Sequence, residues 1–184
     1  MLDLKFKFVV CGQEGVGKTS LLLRYAKNRF LETKSTVGVE FLVKDVFLNN
    51  AKIRLHLWDF AGEGRFRTLL GPFCLGSSGA IFVYDMTDSI SFDRLTEWMD
   101  LVNSNTAVFN PANERVPIPK VLVGTKKDLL SEDLPRLDPS IIATFMADHS
   151  IKSHFETSAK NGENVAAVFM DLVDQVMTLF QQKE

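Results

Sequence analysis

Cysteine is scarce in this 184-residue chain: Cys11 and Cys74 are the only two, and both lie inside apolar stretches. Two thiols make no disulfide framework, and such usage points to a reducing compartment. A basic surplus is also missing. The 21 Lys and Arg stand against 23 Asp and Glu, a formal net charge of −2, whereas a duplex-DNA binder carries a basic excess. Nucleic acid is therefore not an expected partner. No apolar run approaches the roughly 18 residues a membrane helix requires. The N-terminus opens directly on strand-like sequence with no signal peptide, and Leu2 excludes N-myristoylation. There is no internal repeat and no low-complexity tract. What remains is 46% hydrophobic and 24% charged residues, ordinary for a chain with a real core and unlike a disordered, collagen-like or coiled-coil protein. The expectation is one cytoplasmic domain spanning residues 1–184.

Hydrophobic patterning divides the chain into alternating strands and helices. Leu4 to Val10 alternates and then turns fully apolar, as a strand entering a buried sheet does. Val39–Phe47 and Lys52–Trp58 alternate around Asn49-Asn50 and read as a hairpin. The runs 80–84, 120–123 and 153–156 read as short strands, the first two buried on both faces, although periodicity alone does not separate them from a buried helical turn. Phe92, Leu95, Trp98, Met99 and Val102 form a helical stripe behind Asp88 or Ser89 as cap. Val165, Val168, Phe169, Leu172, Val173, Val176 and Phe180 form another, and residues 17–26 and 139–148 read as two more helices. Such alternation predicts an α/β fold with a mostly parallel sheet. Residues 103–119, with Pro111, Pro117 and Pro119, read as a long surface loop, either an interaction site or a passive excursion.

The chemistry is concentrated in loops. Gly12-Gln13-Glu14-Gly15-Val16-Gly17-Lys18-Thr19 follows the first strand and opens a helix, and it satisfies G-x-x-x-x-G-K-[ST]. Its glycines let successive N–H groups point at a phosphate, and the helix start adds the positive end of its dipole. Lys18 neutralises β- and γ-phosphates in such a loop, and the Thr19 hydroxyl ligates Mg²⁺. Gly124-Thr125-Lys126-Lys127-Asp128 and Thr157-Ser158-Ala159-Lys160 each follow a predicted strand, where ligands bind in open α/β sheets. Guanine offers adjacent N1–H and N2–H₂ donors that one carboxylate accepts together. Adenine would leave the same carboxylate facing a lone pair, a costly mismatch once buried. Asp128 is the candidate for that role, with the Lys126 stem along the base plane and the Ala159 N–H toward O6.

With these three loops in this order, the chain resembles a Ras-superfamily small GTPase over nearly its whole length, and within it the Rab branch. The resemblance is carried further by Thr36-Val37-Gly38-Val39-Glu40-Phe41 and by Trp58-Asp59-Phe60-Ala61-Gly62-Glu63-Gly64-Arg65-Phe66-Arg67-Thr68-Leu69. It implies a P-loop G domain: a six-stranded sheet, mostly parallel with one antiparallel hairpin strand, and five flanking helices. It implies GTP and GDP as ligands with Mg²⁺, the latter held by Thr19, Thr36 and, through water, Asp59. Nucleotide contacts are implied for Glu14, Gly15, Val16, Gly17, Lys18, Thr19, Ser20, Phe30, Thr36, Gly62, Thr125, Lys126, Asp128, Ser158, Ala159 and Lys160, and catalytic roles for Lys18 and Glu63. It also implies a monomer that meets effectors through Phe41, Trp58 and Phe73, plus an exchange factor and a GTPase-activating protein, in vesicle trafficking or related signalling. Ordinary sheet packing is the competing account of that aromatic trio.

Several residues depart from the family pattern. Glu63 stands where the family has glutamine. An amide both accepts from the attacking water and donates to phosphate, whereas a carboxylate only accepts and adds negative charge. It would act as a general base only with a raised pKa, so the sign of its effect stays open. Glu14 replaces a small residue, Gly64 replaces a glutamate, Thr125 replaces the commoner asparagine, and the first switch, Phe30 to Thr36, is one residue short. These departures predict slow, activator-dependent hydrolysis, with a GTP-bound scaffold that turns over little or nothing as the alternative. No C-terminal cysteine follows Phe180-Gln181-Gln182-Lys183-Glu184, so the family's lipid anchor is not encoded in this chain. Either a tail has been removed or membrane association runs through a partner.

Overall fold

The computed structural model describes residues 2–31, 35–109, 114–134 and 136–181. Positions 32–34 of the first switch, 110–113 of the long connection, the last three residues and the Phe180 side chain lie outside the described residues. Among the described residues, eight strands and six α-helices follow one another: β1 (Leu2–Cys11), α1 (Lys18–Lys27), β2 (Val39–Leu48), β3 (Ala51–Phe60), α2 (Arg67–Cys74), β4 (Gly79–Asp85), α3 (Ser89–Asp93), α4 (Leu95–Asn105), β5 (Val108–Phe109), β6 (Arg115–Val116), β7 (Lys120–Thr125), α5 (Pro139–Asp148), β8 (Ser153–Glu156) and α6 (Val165–Gln181).

Six strands form one sheet in the order β2-β3-β1-β4-β7-β8, with only β2 antiparallel to its neighbour. The β2–β3 hairpin turns on Asn49 and Asn50, which both take positive φ, 47° and 60°. Those values belong to the tight two-residue turn whose twist matches the flanking strands, and asparagine tolerates them. Leu48 is thereby set opposite Ala51 and Phe41 opposite Trp58.

Every residue of β4 and β7 is buried, because helices cover both faces of the sheet. Along β1 the alternation assigns the faces. Phe8 and Val10 join Leu21, Leu22, Tyr25, Phe169, Leu172 and Val176 under α1 and α6. Val9 and Cys11 join Leu70, Cys74, Leu95, Trp98, Met99 and Val102 under α2 and α4. Each such large side chain, fully buried, contributes about 1.5–3 kcal/mol. The first layer is locked by Tyr25 stacked on Phe169, ring centroids 3.8 Å apart.

Three local features differ from the pattern-based expectation. Helix α2 is absent from it, since Gly71 and Pro72 mask an element that buries Leu70 and Cys74. The expected 92–102 helix is broken at Arg94 into α3 and α4, so the flanking bodies number five when that bent pair counts as one. Asp88 does cap it, accepting from the Ile90 N–H at 3.1 Å. The long connection is shorter than expected, because α4 runs to Asn105, and β5 and β6 form a small antiparallel ladder within it.

Candidate nucleotide-binding site

Because β1, β4, β7 and β8 run parallel, their carboxyl ends and the loops that follow gather along one edge of the sheet. The loop after β1 curls tightly at Gly12, whose φ of 150° and close approach leave no room for a side chain. A Cβ there would lie 2.2 Å from the Val83 carbonyl oxygen. Lys18 is 5% exposed, and its Nζ donates to the carbonyls of Gly12 and Gln13 at 2.8 and 2.9 Å. Burial lowers its pKa, while the negative charges of Asp59 and Glu14 push back.

Hard oxygens converge beside it. The Thr19 hydroxyl lies 2.8 Å from that of Thr36 and donates to Asp59 Oδ2, which the Thr36 hydroxyl also approaches at 3.4 Å. Asp59 is 1% exposed, its Oδ1 has no hydrogen-bond partner, and burial raises its pKa. Two hydroxyls and a carboxylate with a buried unsatisfied oxygen are a donor set suited to a hard divalent cation such as Mg²⁺. Opposite them the loop after β3 presses on the phosphate loop. A Cβ on Gly62 would lie 2.1 Å from the Glu14 nitrogen, so only glycine passes.

The other end of the cavity is built from the loops after β7 and β8. The Thr125 hydroxyl donates to the Val16 carbonyl at 2.5 Å and approaches that of Tyr84 at 3.0 Å. The Thr157 N–H donates to the Gly124 carbonyl at 2.7 Å, and the Lys127 N–H to that of Thr157 at 3.0 Å. Lys126 pairs with Asp85 at 2.6 Å. The Ser158 hydroxyl donates to Asp128 Oδ1 at 2.5 Å, fixing the carboxylate. From α1, Arg24 donates through Nε to the Ala159 carbonyl at 2.6 Å and through Nη2 to that of Lys160 at 2.7 Å.

These pieces enclose a cavity of about 520 Å³, lined by Glu14, Gly15, Gly17, Lys18, Thr19, Ser20, Phe30, Thr36, Gly62, Thr125, Lys126, Asp128, Ala159 and Lys160, together with Ser35 and Leu129. Three sequence-derived candidates stand behind the lining: Val16 offers only its carbonyl to Thr125, Ser158 braces Asp128, and Asp59 braces both threonines. Ser35, Leu129, Arg24 and Asp85 escaped sequence reasoning. Only Asp85, the last residue of an apolar run at a strand's carboxyl end, carried a usable signal.

The Ras family profile matches residues 7–178. This chain belongs to the Ras family. Its similar relatives place it among Rab-like small GTPases. It is 35% identical over 182 residues to the GTP-binding protein ypt3 of Schizosaccharomyces pombe, covering 98% of this chain and 80% of that one. It is 38% identical over 169 residues to Ras-related protein Rab-1 of Theileria annulata, covering 91% and 72%. Ras-related protein RabF1 of Dictyostelium discoideum is 39% identical over 168 residues, covering 91% and 82%.

In this GTPase Glu63 does not line the nucleotide cavity. It pairs with Arg65 and borders a neighbouring cavity of about 560 Å³ with Gln13, Glu14, Gly62, Gly64, Arg67 and Arg94. The aromatic trio forms one continuous patch. Phe41 and Trp58 meet edge-on at 5.3 Å, Trp58 and Phe73 lie tilted with centroids 6.0 Å apart, and Phe41 and Phe73 are 47% and 40% exposed. Among the described residues no helix is long and apolar enough to cross a membrane.

Proposed function

We infer that this GTPase acts as one domain and as a guanine-nucleotide-dependent switch that binds GTP or GDP with Mg²⁺, hydrolyses GTP slowly, and recruits effectors in its GTP form. The observation that carries the reading is that Lys18, just after the loop that follows β1, and Asp128, from the loop after β7, line one cavity. Asp128, already braced by Ser158, accepts both guanine edge donors, while Phe30 and the stems of Lys126 and Lys160 flank the base. Lys18 exchanges its two loop carbonyls for phosphate oxygens, giving up local bonds only when a ligand replaces them. Thr19, Thr36 and Asp59 are the residues that would hold Mg²⁺, which supplies neutralisation of phosphate charge when bound.

The switch follows from where those contacts lie. Thr36 and Gly62 belong to loops that bury little surface of their own, so the share of their ordering that the γ-phosphate supplies is lost on hydrolysis. The Ala61 N–H donates to the Gly38 carbonyl at 2.9 Å, which links the roots of the two loops. Hydrolysis breaks the bond between the γ-phosphorus and its bridging oxygen as water adds, yielding GDP and phosphate. Glu63 reaches that water only by leaving Arg65, and its negative charge adds to a transition state already rich in it. Both effects slow turnover and leave room for an activating partner. The Glu63–Arg65 pair also favours a second reading, a GTP-bound scaffold with little turnover. The Rab-named relatives support a role in vesicle trafficking, with a monomer held peripherally on membranes and an effector surface at Phe41, Trp58 and Phe73.

A single-turnover assay tests this. With GTP and Mg²⁺, the wild-type chain is expected to yield GDP over hours, Lys18→Ala to lose both nucleotide and conversion, and Glu63→Gln to convert faster. GTP that stays bound and intact would establish the scaffold instead. Equal rates for wild type and Glu63→Gln would refute the account of Glu63.

A further inference from the structure

Glu14 stands at the third position of the phosphate loop and borders both cavities at once. Its Oε1 accepts a hydrogen bond from the hydroxyl of Ser35, the neighbour of Thr36 on the first switch. The backbone beneath it is closely packed: even a methyl group on Gly62 would strike the Glu14 nitrogen and Cα, at 2.1 and 2.5 Å. The negative charge of Glu14 is close enough to act on the amine of Lys18. A carboxylate therefore extends from a closely packed stretch of loop, beside the group that meets the terminal phosphate, and ties that loop to the first switch.

We propose that Glu14 is a specificity-determining residue that makes this GTPase favour a nucleoside diphosphate over a triphosphate, its carboxylate taking the place of the terminal phosphate in tying the first switch to the loop. This rests on the nucleotide-switch reading above. Carboxylate and γ-phosphate share the needed chemistry, an anionic oxygen that accepts from the switch. With a diphosphate bound, the Glu14–Ser35 bond stays in place and nothing opposes it. A triphosphate brings further negative charge to the same place, well within the screening length of about 8–10 Å. The carboxylate then either turns away and loses Ser35 or remains and repels. Both outcomes weaken triphosphate binding and spare diphosphate binding.

The test is a fluorescence titration of the Mg²⁺-supplemented protein with N-methylanthraniloyl GDP and with the corresponding non-hydrolysable imidotriphosphate. Wild type is expected to bind the diphosphate about tenfold more tightly or better, the scale of a modest unscreened charge interaction. Glu14→Gln, similar in shape and uncharged, and Glu14→Ser should both bring the ratio to within about threefold by tightening the triphosphate alone. Ser35→Ala should narrow it part-way, since the carboxylate loses its bond and keeps its charge. Raising salt from about 50 to 500 mM should narrow the wild-type ratio and leave that of Glu14→Gln unmoved. A wild-type ratio near one, or a wide ratio surviving in both Glu14 variants, overturns the proposal. A ratio that survives in Glu14→Gln and collapses in Glu14→Ser also overturns it, assigning the effect to bulk. In all three cases both nucleotides still bind and the switch reading stands; binding of neither nucleotide overturns that reading together with this one.

Discussion

Replacing Thr125 by valine exchanges a hydroxyl for a methyl group of similar size and leaves the rest of β7 alone. The hydroxyl carries one proton and faces two carbonyls, Val16 at 2.5 Å and Tyr84 at 3.0 Å, so the two acceptors share it. Thr125 is 3% exposed, and Val16 and Tyr84 are 2% each, which leaves water little access to either carbonyl after the change. An unpaired buried acceptor costs about 1–3 kcal/mol, and burial of the added methyl returns about 0.8 kcal/mol. Subtraction leaves a net loss of about 0.2–2.2 kcal/mol, centred on about 1 kcal/mol. At about 2–4 °C per kcal/mol for a domain of this size, Tm falls by about 2–4 °C at the centre of that range. Val16 belongs to the phosphate loop, so GDP should also leave several-fold faster. Thr125→Asn should recover both quantities, because an amide offers one N–H to each carbonyl. Guanidinium denaturation in excess GDP and Mg²⁺, with dissociation of a fluorescent GDP, measures the two effects. A Thr125→Val protein within about 0.5 kcal/mol of wild type, with an unchanged dissociation rate, would refute the idea that this hydroxyl joins the two ends of the cavity.

Two further outcomes follow from packing and burial. Burial lowers the pKa of His154 from 6.5, with Glu156 pushing back, and its Nε2 lies 2.9 Å from the Tyr84 hydroxyl. Its folded pKa is below the unfolded one, so stability is full above pH 6.5 and declines as pH falls from there toward the folded value. Denaturation midpoints across that range should flatten in His154→Phe; an unchanged slope would assign the decline to other groups. Gly79→Ala would place a Cβ 2.9 Å from Leu172 Cδ1, costing about 1–3 kcal/mol by overpacking, while Leu172→Ala alone costs about 2–5 kcal/mol. The double variant should lose less than the sum by at least about 0.5 kcal/mol. Strict additivity in urea denaturation would mean that the two sites do not touch.

The parts of the fold legible in the sequence are those whose burial leaves a local signature. Strands β4 and β7 are buried on both faces and read as unbroken apolar runs. The β2–β3 hairpin alternates around Asn49-Asn50 because one turn and one register fix it. Helix α2 was illegible because Gly71 and Pro72 argue against a helix that tertiary packing of Leu70 and Cys74 sustains. The break at Arg94 was hidden because the apolar stripe from Phe92 to Val102 runs straight across it. In the candidate site the phosphate loop and the two base loops were readable, since each is a contiguous stretch of backbone. Arg24 reaching the 159–160 carbonyls, Ser35 bonding Glu14, and Glu63 turning to Arg65 were not, since each depends on how folded loops meet.

The Arg24 clamp has a consequence for how lesions in this molecule would be interpreted. Helix α1 begins at the phosphate loop and holds, through one guanidinium, the main-chain oxygens of Ala159 and Lys160 at the far end of the cavity. Arg24 itself is not among the residues lining that cavity. A random-mutagenesis screen scored on nucleotide retention would nonetheless return it, with a phenotype resembling loss of base recognition. A catalogue of direct ligand contacts would file the same position as an inert surface arginine, and a variant there would be passed over as neutral.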